Sequence, residues 1–113
     1  MVKAKYTSTE ISEIVRGLIA ALAGSNVTVD KIILYGSYAA GRQRDHSDID
    51  IAIISPSFKG KKKLEIQEAL AKALVKYLAI VEPVGYSLED YETAEAESLL
   101  GEIKRSGRVL YAA

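Results

Sequence analysis

Asp48 and Asp50 stand two residues apart at the head of an apolar run, and Gly36-Ser37 closes an earlier one. On a strand, alternate side chains share a face, so the two carboxylates point the same way. Carboxylates that close repel one another and are costly to desolvate. A hard divalent cation removes that cost, and Mg²⁺ takes one or two carboxylates together with substrate phosphates. Gly36 permits unusual backbone angles and the close approach of another group. Ser37 adds a hydroxyl and an N–H, and N–H groups at such a turn suit phosphate oxygens. The parts fit as a turn for phosphate and carboxylates for a metal that bridges to it. Glu82 is a third carboxylate, inside a separate apolar run. If its strand neighbours 48–54, it can reach the same metal, hold a second ion about 3.5–4 Å away, or take the proton of an attacking hydroxyl. Arg42 and Arg44, in the intervening loop, suit a triphosphate or an acceptor; a solvated loop is the other reading.

The elements that must position these groups follow from periodicity. Ser8-Thr9-Glu10 offers a helix cap, and Ile11, Ile14, Val15, Leu18, Ile19 and Leu22 recur on one face, which predicts a helix over 9–23 ended by Gly24. Residues 31–35 form a strand feeding the Gly36-Ser37 turn, with one helical turn over 38–41 and a polar loop over 43–47. The second strand is 48–54, ended by Ser55-Pro56-Ser57. A second amphipathic helix spans 61–78, with Leu64, Ala71, Leu74, Val75 and Leu78 as its buried face, helped by Ala69 and Leu70, and Lys61, Lys62 and Lys63 in solvent. Residues 80–86 read as a third strand, and Pro83 makes it an edge strand or bends it. Ser87-Leu88-Glu89-Asp90 starts another helix. A last helix covers 98–106, closed by Gly107, before a short strand or extended tail at 109–111. Helices alternating with strands imply one α/β (α+β) domain over 1–113, around a small mixed β-sheet flanked by helices.

Composition narrows the function. The chain has 113 residues, and its 15 basic and 15 acidic side chains cancel, which argues against a broad nucleic-acid surface. It has no cysteine, so disulfides and thiolate metal sites are excluded, and one histidine, His46, which cannot build a histidine metal centre alone. No apolar run approaches the roughly 20 residues that span a bilayer, and 1–9 does not read as a signal peptide, so the expected compartment is the cytoplasm, with no membrane partner. The tyrosines are spread along the chain and read as packing residues; Tyr38 alone is close enough in sequence to the site to neighbour a ligand.

The run from Gly36-Ser37 through Gly41-Arg42 to Ser47-Asp48-Ile49-Asp50 resembles the signature of the DNA polymerase β-like nucleotidyltransferase superfamily, and more narrowly that of its minimal nucleotidyltransferases (MNT). The tail 102–111 also resembles the ending of these small proteins. The resemblance implies the nucleotidyltransferase, or polymerase β-like palm, fold. It implies transfer of a nucleoside monophosphate, commonly AMP from ATP, with Mg²⁺ (two ions once nucleotide is bound), to an acceptor hydroxyl. The family's triphosphate-contacting serine maps to Ser37, and its paired metal-binding aspartates to Asp48 and Asp50. Its third carboxylate, usually aspartate, falls at Glu82.

Larger relatives carry an additional domain for base and acceptor, and about 113 residues leave no room for one. The acceptor surface is therefore expected from a protein partner or from self-association. Minimal nucleotidyltransferases resemble the antitoxin half of HEPN/MNT pairs, in which a tyrosine of the toxin receives AMP. The alternative is a nucleotide- or partner-binding subunit with weak or absent catalysis, motivated by glutamate at 82.

Overall fold

The computed structural model describes residues 5–113. Its centre is a four-stranded mixed sheet of β1 (Lys31–Tyr35), β2 (Ile49–Ser55), β3 (Val81–Ser87) and β4 (Arg108–Ala112), in the order β3-β2-β1-β4. β1 runs antiparallel to both β2 and β4, while β2 and β3 are parallel. A parallel pair needs a crossover, and the helix α3 (Lys63–Ala73) supplies it. Pro83 lies on an outer strand, where its missing N–H costs no ladder bond.

Alternation divides the sheet's residues between two faces. Ile32, Leu34, Ile49, Ile51, Ile53 and Val81 join one core with the helices α1 (Ser8–Gly24) and α3. Ile33, Ala52 and Ile54 point the other way, towards Leu100 and Ile103. That second face is covered by α4 (Leu88–Thr93) and α5 (Leu99–Ser106). The short helix α2 (Gly36–Ala40) follows β1 without a linker.

Local chemistry sets most of the ends. α1 begins at Ser8, one residue before its expected start, because Thr7 and Glu10 satisfy each other's backbone N–H groups at 3.1 and 2.9 Å. β2 stops at Ser55, where Pro56 starts a 3₁₀ turn and the Ser55 hydroxyl accepts from Ser57 N–H at 3.0 Å. Ser87 and Ser98 cap α4 and α5 by accepting from Asp90 and Gly101 N–H.

One expectation fails. The 61–78 segment is not a single helix; α3 ends at Ala73 and a 3₁₀ turn covers Val75–Tyr77. Leu70 and Leu74 are buried as expected, joined by Ile66, while Leu64, Val75 and Leu78 are 70%, 65% and 42% exposed. Gly85 explains the choice. A side chain there would collide with Ile66 and Phe58 and crowd Leu70, so the bare backbone of β3 receives this face of α3. No periodicity within the helix reveals that gap on another strand.

Candidate active site

Strand pairing aligns the chemistry. Asp50 lies opposite Tyr35 of β1 and beside Glu82 of β3. Paired residues on adjacent strands project from the same face, so Tyr35, Asp50 and Glu82 form a row across three strands spaced about 4.8 Å apart. Asp48, two residues before Asp50, precedes β2 on the same side. The row lies on the α4/α5 face of the sheet, at the end where β1 turns into α2.

Gly36 brings the turn to the carboxylates. Its φ is +73°, in the left-handed region that favours glycine. A β-carbon there would overlap Asp50 Oδ2. The absent side chain at Gly36 is thus what lets the Asp50 carboxylate lie against the turn. Gly41 closes α2 with φ +70°, and Arg42 N–H donates to the Ser37 carbonyl at 2.8 Å. Ser37 is half-buried as the second residue of α2.

Electrostatics sets Asp50 apart from an ordinary surface acid. Burial raises the Asp50 pKa above its usual value, and the nearby charges of Glu82 and then Asp48 push it the same way. Among the described residues none of the three has an ion-pair partner, while Asp48 and Glu82 are exposed. Tyr35 responds to the same field. Burial first, then Asp50, Tyr86 and Glu82, carry its phenol to about 12. It therefore stays protonated at neutral pH.

The donor set is hard oxygen throughout, which fits magnesium. Among the described residues no three side chains of His, Cys, Asp or Glu already converge on one point. An ion here would draw on one or two carboxylates and complete its shell with phosphate and water.

Of the residues singled out in the sequence, the structure gathers Gly36, Asp48, Asp50 and Glu82 at one end of one face, with Ser37 next in the turn. Arg42 reaches a cleft beside the turn, together with Tyr35 and Gly36. Arg44 is exposed in the loop before β2, its N–H donating to Ser47 Oγ at 2.8 Å. Tyr38 is not a ligand neighbour. It is 5% exposed, and its hydroxyl accepts from Tyr6 N–H at 3.0 Å. His46 and Lys61 to Lys63 are exposed, as expected.

The sequence does not mark Tyr35 as a site residue, nor does it place the expected helix over 98–106, α5, beside the site. Tyr35 adjoins Gly36, but its place in the row follows only from the antiparallel register. Leu99, Glu102, Ile103 and Ser106 of α5 line the far wall of the cleft. Their 3-4 spacing marks a helix stripe, and that signal was present in the sequence.

Comparison with known proteins points one way. The family model described as Polymerase beta, Nucleotidyltransferase matches residues 18–113. A "putative protein adenylyltransferase" of Methanocaldococcus jannaschii is 32% identical over 102 residues, which cover 89% of this chain and 94% of that one. A solved structure of a "putative nucleotidyltransferase" from Sulfolobus solfataricus superposes with a TM-score of 0.65 at 17% identity, covering 96% of this chain and 90% of that one. A toxin–antitoxin structure with AMP-PNP superposes with a TM-score of 0.58 at 23% identity, covering 87% of this chain and 73% of that one. At those identities the two structures speak for the fold.

Proposed function

We propose, because this chain belongs to the polymerase beta nucleotidyltransferase family, that it transfers AMP from Mg-ATP to a hydroxyl of another protein. The observation that carries the reading is the Asp50 carboxylate held against the Gly36 turn, in a row with Glu82. The N–H groups and hydroxyl of the Gly36-Ser37 turn take the β- and γ-phosphates. Arg42 and Arg44 add positive charge from the loop, for the triphosphate or the acceptor. Magnesium held by Asp48 and Asp50, with a second ion reaching Glu82, would align the triphosphate and offset its charge.

The remaining chemistry belongs to side chains. The acceptor oxygen attacks the α-phosphorus and forms a new O–P bond. The bond from that phosphorus to its bridging oxygen breaks, and pyrophosphate leaves with the electron pair. The hydroxyl proton passes to the Glu82 carboxylate, which is exposed on an edge strand where an acceptor can approach. Tyr35, kept neutral, is a hydrogen-bond donor here and not a base.

A protein acceptor is supported by the adenylyltransferase named among the relatives, and a stable partner by the toxin–antitoxin neighbour. The specific version is that this chain is an antitoxin whose acceptor is a tyrosine of a HEPN-type toxin, in the cytoplasm. The test incubates the chain with ATP labelled at the α-phosphate, Mg²⁺ and a HEPN-type toxin encoded in the same genome. Label on a toxin tyrosine, lost with Asp50→Asn, is the expected result. Nucleotide binding without any transferred label would instead favour a binding subunit, the reading that glutamate at 82 motivates.

A further inference from the structure

Apart from Gly36 and Arg42 at its mouth, the cleft beside the phosphate turn has no part in the chemistry above. It has a volume of about 330 Å³ and lies between α2 and α5. Tyr35 and Gly36 form the end nearest the carboxylates, and Ala39, Ala40, Leu99 and Ile103 give it apolar walls. Arg42, Glu102 and Ser106 are its polar members. That volume falls within the roughly 300–1,000 Å³ of small-ligand sites, which are mostly apolar with a few placed polar groups. Leu99 is 52% exposed at this cleft, although it is a large apolar side chain.

We infer that this cleft seats the nucleoside end of the nucleotide, and that Glu102 selects a base carrying an amino group. The inference rests on the nucleotidyl-transfer reading and names what binds there. Three observations carry it. The first is the order across the sheet. Glu82, Asp50 and Tyr35 lie on successive strands, and the cleft adjoins the Tyr35 end. An acceptor approaching Glu82 enters from the opposite edge and would have to cross the carboxylate row to reach it.

The second observation is charge. Glu102 and Arg42 both line the cleft, so its charges offset one another and the uncharged end of the nucleotide fits it, while the N–H groups of the Gly36-Ser37 turn suit the triphosphate. The third is shape and surface. Two helices wall a slot with small residues on one side and Leu99 and Ile103 on the other, which suits a flat ring. Arg42 can lie over such a ring with its guanidinium plane. A carboxylate accepts from the amino group of adenine and repels the carbonyl oxygen that uracil presents in its place.

Equilibrium titrations in Mg²⁺ with AMP-PNP, UTP and inorganic tripolyphosphate test this. Leu99→Ser and Ala40→Trp change opposite walls at exposed positions, and thermal melts check that each still folds. Each is expected to weaken AMP-PNP about tenfold or more, as loss of one apolar side chain's burial or a blocked slot would do. Tripolyphosphate affinity should stay within about twofold, since its seat is elsewhere. Glu102→Gln should narrow the preference for AMP-PNP over UTP by about fivefold or more, the scale of one hydrogen bond to a charged group. Unchanged AMP-PNP affinity in both wall variants overturns the inference, as does an equal loss of tripolyphosphate. If those variants still transfer label with unaltered affinity, the cleft assignment alone falls. If the unmodified chain binds neither AMP-PNP nor tripolyphosphate, the nucleotidyl-transfer reading falls with it.

Discussion

The two faces of the sheet use one alternating sequence for different ends. On the α1/α3 face, β1 and β2 contribute Ile32, Leu34, Ile49, Ile51 and Ile53, all fully buried. On the other face the same strands carry Ile33, Ala52 and Ile54 and then, at the α2 end, Tyr35 and Asp50. The apolar part of that face is roofed by α4 and α5, and the roof stops short of the carboxylates. One face is therefore packed for stability throughout. The other is packed for half its length and keeps a costly group at its open end. Burial and two like charges act against Asp50 ionisation, a cost that active sites carry and cores avoid.

The largest effect that can break or sharpen this contrast is on catalysis. Asp50→Asn should reduce label transfer by about a thousandfold or more, the scale of losing a principal electrostatic contact. Its thermal midpoint should hold or rise, because a repelled carboxylate is removed. A fall in midpoint matching the loss of transfer would make Asp50 a structural residue. On the opposite face, Ile51→Ala should cost about 2–5 kcal/mol in denaturant unfolding, for lost burial and a cavity. Transfer per folded molecule should stay near normal, measured where the variant is still native.

Gly36→Ala lies between these cases. Its positive φ disfavours a side chain by about 1 kcal/mol, and the added methyl would displace the Asp50 carboxylate. Transfer should fall more than stability does, and equal losses would separate the turn from the chemistry.

The smallest effect is on pH dependence. The Asp50 pKa is raised in the folded chain above its ordinary 3.8. A raised carboxylate binds its proton more tightly folded than unfolded. Its share of stability is present below pH 3.8 and is lost as pH climbs through 3.8 towards the folded value. Melting of the metal-free chain should show this decline, and Asp50→Asn should flatten it. An identical slope in both proteins would remove Asp50 as its source.

The order and type of most elements were legible, because helix stripes and strand alternation are local patterns. The edge placement of β3 could be read from Pro83, and the cap of α4 from Ser87. The buried face of the 61–78 segment could be read only in part, at Leu70 and Leu74 and not at Ile66. Two apolar sets compete there, and Gly85, on a strand reached only through the crossover, decides between them. The site divides along the same line. The signature residues Gly36, Ser37, Asp48 and Asp50 lie within one short stretch and could be found from spacing. Glu82 needed the parallel register to be set beside Asp50, and Tyr35 needed the antiparallel one. The α5 wall of the cleft depended on how a distant helix packs.

Calorimetric titration of Mg-ATP into the unmodified chain and into the Asp48→Asn/Asp50→Asn double variant tests the central claim most directly. The account predicts magnesium-dependent binding in the first and its loss in the second, with both proteins melting cooperatively. Equal nucleotide affinity in the two, with or without the metal, would contradict it.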